Sequence, residues 1–126
     1  MKNSIVQFDR KFQVWLYLVG HSQLLLRSTK DEHHPTQIDV LFKDVGLMQI
    51  PAYFSKLIIS EMSKKAFQSL GLSTGLLPPI DQKYFRLEGD NWQGVVVAGY
   101  VGWLEEDAPH FAESKLISNP AGVPRL

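Results

Sequence analysis

Apolar and polar residues alternate at period two along much of this chain, the spacing of half-buried strands. In residues 12–19, Phe12, Val14, Leu16 and Leu18 fall on one face, and Trp15, Tyr17 and Val19 on the other. Gly20, His21 and Ser22 interrupt the run before Leu24, Leu25 and Leu26 resume it, which predicts a β-hairpin. Residues 28–36 hold charged residues, paired His33 and His34, and Pro35, and read as an exposed loop. The cleanest alternation follows. Ile38, Val40 and Phe42 point one way, Asp39 and Lys43 the other, with Leu41 sharing the outer face. The phase slips at Asp44, Val45 and Gly46 before Leu47, Met48 and Ile50. A bulge or tight turn at Gly46 is expected, because glycine tolerates positive φ.

Residues 56–62 predict a further strand, and residues 63–71 a short helix capped by Ser63 and ended by Gly71. Ala66, Phe67 and Leu70 would share its packed face. Residues 72–79 read as a loop. Residues 84–88 and 92–104 flank Gly89, Asp90 and Asn91, a second hairpin signal. The later run is apolar on both faces and so belongs centrally in a sheet. Gly99 and Gly102 within it predict a bend, or close packing beneath an aromatic ring. The stretch 108–126 turns polar and is expected as a loose tail. The fold class is therefore α+β: a single domain over 1–126, mainly antiparallel twisted sheet or two-layer sandwich, with one short helix.

Composition narrows what such a domain does. The 13 basic and 13 acidic residues cancel, so the excess cation of a nucleic-acid binder is missing. There is no cysteine, which excludes disulfides, thiolate metal sites and a Cys nucleophile. No apolar run approaches the roughly 18 residues of a membrane span, and residues 1–10 lack the apolar stretch of a signal peptide. A cytoplasmic protein is expected.

Four constellations invite a chemical reading. His21 and Ser22 with Asp39 contain the residue types of a triad, but neighbours in an extended segment point to opposite faces. No Gly-x-Ser-x-Gly elbow is present. Asp31, Glu32, His33 and His34 are metal-ligating types, yet consecutive side chains seldom converge on one ion. Glu105, Glu106 and Asp107 could supply an acid–base pair only if a pocket separated their pKa values. Residues 71–75 lack the Gly-Lys-Ser/Thr ending of a phosphate loop. No catalytic residue, metal ligand or cofactor is assigned. Lys56, Lys64, Lys65, Lys83 and Arg86 read as a solvated face, with an acidic protein as the functional alternative.

The aromatics carry the remaining signal. Trp15, Tyr17, Trp92, Tyr100 and Trp103 are the candidate binding residues, either as core or as an exposed face for a partner or a second copy. The run Ile38-Asp39-Val40-Leu41-Phe42-Lys43-Asp44-Val45, then Met48, then Leu57-Ile58-Ile59, resembles the central strands of small β-rich bacterial immunity proteins. The resemblance covers about a third of the chain and is one of hydrophobic rhythm, so it carries over no site residue. It implies neutralisation of a toxin by binding, without catalysis. The expected function is a non-enzymatic protein-binding module using the aromatic sheet face. The alternatives are a ligand-binding or enzymatic β-fold with a pocket lined by His21, Asp39 or Trp103, and a structural homodimer.

Overall fold

A computed structural model describes residues 5–71, 82–108, 112–118 and 124–126. Its elements are β1 (Ile5–Leu18), β2 (Gln23–Ser28), β3 (Gln37–Lys43), β4 (Leu47–Gln49), β5 (Tyr53–Met62), α1 (Lys64–Gln68), β6 (Lys83–Gly89), β7 (Trp92–Ala98), β8 (Tyr100–Glu106) and α2 (Lys115–Ser118). The eight strands form one antiparallel sheet, in the order β4-β7-β6-β5-β1-β2-β3-β8. The expectation of a β-rich chain with little helix holds, with α2 as an addition.

The two ends of that order meet. Chain passes 37–49 and 92–106 run antiparallel along their whole length, since β3 pairs β8 and β4 pairs β7. At the corner between them the Gly99 amide donates to the Lys43 carbonyl (2.9 Å), and the Gly46 amide to that of Val97 (2.8 Å). Each pass of the chain therefore has a neighbour on both sides over at least part of its length, and the sheet closes on itself as a barrel. Its interior is one apolar cluster, with Phe12, Leu24, Val40, Leu57, Phe85, Val96 and Val101 each supplied from a different strand. Phe42 and Phe85 meet edge to face in it, with ring centroids 5.9 Å apart.

Several local expectations change. The corner at residues 44–46 is real, but the positive φ belongs to Asp44 (54°). At Gly46 an added Cβ would lie 2.7 Å from Oε1 of Gln82, a contact that the flexible end of that side chain can relieve. The predicted bend at Gly99 divides β7 from β8. Ser63 caps α1 by accepting the Ala66 amide (3.0 Å), and Gly71 follows with φ 72°. The loop over 72–79 lies outside the described residues.

Parts of the stretch expected as a loose tail are among the described residues, and they contact the barrel. Leu116 of α2 is fully buried against Leu25 and Leu41, on the outside of the barrel. Further on, the Trp103 amide donates to the Pro124 carbonyl (3.0 Å), and the Leu126 amide to that of Val101 (3.1 Å). The apolar outer face of β2 and β3 explains the docking, since Leu25 and Leu41 would otherwise face water.

Candidate functional site

The predicted aromatic face is not one surface. A register shift in the β1–β2 ladder falls between Val14 and Leu16, and it exchanges inside for outside along β1. Tyr17 consequently packs on the interior cluster, while Trp15 lies outside with Leu16, against Leu25, Leu41 and Leu116. Trp103 joins the interior and meets Phe8 edge to face at 6.1 Å. Trp92 packs on Phe54 at 4.4 Å and donates its indole N–H to the Ser55 carbonyl (3.3 Å). Tyr100 lies between two cations, with Lys43 5.1 Å and Arg125 5.6 Å from its ring centre. All five are half-buried.

The charged candidates disperse as well. Asp39 is buried and paired across the β2–β3 ladder with Arg27, whose Nε donates to Oδ1 (2.7 Å) and whose Nη2 donates to Oδ2 (3.0 Å). The Arg27 guanidinium also stacks on Trp15, 4.8 Å from its ring centre. His21 is exposed in the turn at the opposite end of β2, so it cannot join Asp39. Glu105 accepts from the Thr36 hydroxyl and lies 3.8 Å from Arg10. Glu106 pairs with Lys115 (3.0 Å) and Asp107 with Lys30 (2.7 Å). Three carboxylates with three separate partners do not make an acid–base pair.

Asp31 closes its own turn. Its Oδ1 accepts the His33 amide (2.8 Å), and the His34 ring lies 3.0 Å from the same oxygen. The amide of His33, more than the imidazole of His34, holds this carboxyl below the usual 3.8. Among the described residues no group of three or more His, Asp or Glu is placed to hold a metal. No helix among them is long and apolar enough to cross a membrane.

What the structure assembles is a groove of about 500 Å³ on the outside of the barrel, running across β1 from β2 to β5. Lys11 and Gln13 come from β1, Arg27 and Ser28 from β2 with Thr29 and Asp31 beyond it, and Tyr53 and Ser55 from β5. Phe12 and Phe54, stacked at 6.1 Å, form part of the lining. Two irregularities flank it. The β1–β5 register shifts between Phe8 and Lys11, and Lys56 takes a positive φ of 68°. Bulges bend a sheet locally and re-aim its side chains. Here Tyr53 is left 76% exposed at the groove.

None of the five predicted aromatics lines this groove, and neither do His21, Asp39 or Trp103. Sequence reasoning passed over Tyr53 because Lys56 breaks the alternation between Phe54 and Leu57, both of which are buried. The available signal was an aromatic residue opening a strand directly after Pro51 and Ala52. Comparison with protein families, curated proteins and solved structures finds no match for this chain.

Proposed function

We propose that the chain is a non-enzymatic protein-binding module of the immunity or accessory type, working through the groove across β1. The observation that carries this reading is Tyr53, a ring 76% exposed beside a 500 Å³ groove on a closed sheet. Tyrosine supplies large contact area at low conformational cost and anchors interfaces. Lys11 and Asp31 bring both signs of charge to the groove, and Gln13, Thr29 and Ser55 bring neutral donors and acceptors. This mixed rim suits a protein surface better than a polyanion. In this reading Trp15, Tyr17, Trp92, Tyr100 and Trp103 are scaffold. The enzymatic alternative draws less support, because its carboxylates are paired with separate partners.

The test places a photo-crosslinking residue at position 53, and in a second protein at exposed Lys65 on α1, in cells that make the chain. One protein should be captured from position 53 and not from position 65. Purified, that protein should bind Tyr53→Ala at least about tenfold more weakly, or ~1.4 kcal/mol, with the melting temperature unchanged. Equal capture from both positions, or equal affinity for Tyr53→Ala, overturns the proposal. Capture of a second copy of the chain would make the groove a dimer contact instead.

A further inference from the structure

Among the described residues β8 pairs with one strand only, β3, because the β6 ladder on the other edge of this pass ends at Lys83 opposite Ala98, and an uncovered strand edge is a template for another strand. Residues 124–126 occupy that edge. Arg125 bridges antiparallel to Gly102, flanked by the hydrogen bonds of Trp103 N–H to Pro124 and Leu126 N–H to Val101. Alternation then sorts the side chains. Leu126 turns in and packs on the barrel interior beside the buried Val101. Arg125 turns out over the ring of Tyr100, which Lys43 covers as well. Gly102 makes the arrangement feasible: a Cβ there would lie 2.3 Å from the Tyr100 hydroxyl oxygen and 3.1 Å from the Pro124 carbonyl.

The geometry points to β8 as a strand-addition site for an extended segment of the pattern proline, cation, large aliphatic, which the chain's own residues 124–126 fill in cis. Main-chain hydrogen bonds supply attachment in such sites, and alternate side chains supply choice. Here packing on the interior cluster selects the aliphatic residue and the Tyr100 ring selects the cation. The cis contact is slight. Pro124 and Arg125 are exposed and Leu126 is only half-buried, so a competing strand has little to displace. The consequence is a second binding surface, separate from the groove across β1, that a partner opens by exchanging with residues 124–126.

The experiment uses the full chain carrying Leu126→Asp, which loosens the cis segment, and a fluorescent peptide of residues 119–126 with its native sequence. Fluorescence anisotropy should show saturable binding to the variant and at least tenfold weaker binding to the unmodified chain. A peptide with Leu126→Asp should bind neither. Should Leu126→Asp fail to fold, Arg125→Glu serves as the milder opening. No binding to a folded variant, or equal binding to variant and unmodified chain, overturns the proposal. So does unfolding of both variants, because a segment required for folding cannot be exchanged.

Discussion

Arg27 and Asp39 show how much a single pair weighs in this barrel. Both are almost fully buried, and their bidentate contact spans the β2–β3 ladder on the outside of the sheet. Asp39→Ala leaves a buried guanidinium without its counter-charge, and a loss of about 3–5 kcal/mol is expected in urea unfolding. The double change Arg27→Met with Asp39→Leu should recover most of that loss, since apolar residues of similar volume replace such pairs well. The sequence placed Asp39 on the outer face correctly but took that face as partly wet. Its partner was not legible, because register decides which residue of β2 lies opposite. A second residue-scale prediction concerns Asp31, whose folded pKa is depressed mainly by the His33 amide. A depressed carboxyl contributes stability above its unfolded value of 3.8, and that contribution is lost as pH falls through the lower folded value. Amide resonances of residues 31–34 should shift over that acidic range, and Asp31→Asn should abolish the shift.

At the scale of elements, turns were more legible than phases. Gly20 and the Gly89-Asp90-Asn91 cluster announced both hairpins, and Asn91 does take a positive φ of 63°. The in–out assignment beyond Val14 was not legible, because a bulge is an agreement between two strands and leaves no mark in one. Hence Trp15 and Tyr17, written two residues apart, face opposite sides. Gly89 shows the cost of close approach at such an irregularity. A Cβ there would meet the Lys56 carbonyl and the Trp92 indole nitrogen at 2.2 Å each, and the Ser55 carbonyl at 2.6 Å. Backbone on one side and a packed ring on the other leave little room to relax. Gly89→Ala should therefore cost about 1–3 kcal/mol, read from the urea midpoint with an unchanged slope. Because Ser55 and Tyr53 belong to the same strand, the variant should also weaken partner binding at the groove.

For the whole molecule, closure is the property that no single segment encodes. The strands could be read one by one, yet the pairing of 37–49 with 92–106 joins segments far apart in sequence. The docking of Leu116 was hidden for a related reason: a short apolar stretch within a polar one acquires meaning only beside Leu25 and Leu41, which point out of the barrel and which it helps to bury. A single closed sheet around one interior should unfold as one unit, so far-UV circular dichroism and tryptophan fluorescence should give coincident urea transitions. Two separated transitions would show that the ring opens before the rest unfolds. In the proposed function, the closed sheet holds Tyr53 in place at the groove across β1. The most direct test is amide hydrogen exchange of the chain, alone and bound to the protein captured at position 53. Slowed exchange is predicted at residues 11–13, 27–31 and 53–55. Protection centred on α1, or on the β4–β7 face with the groove unchanged, would contradict the account.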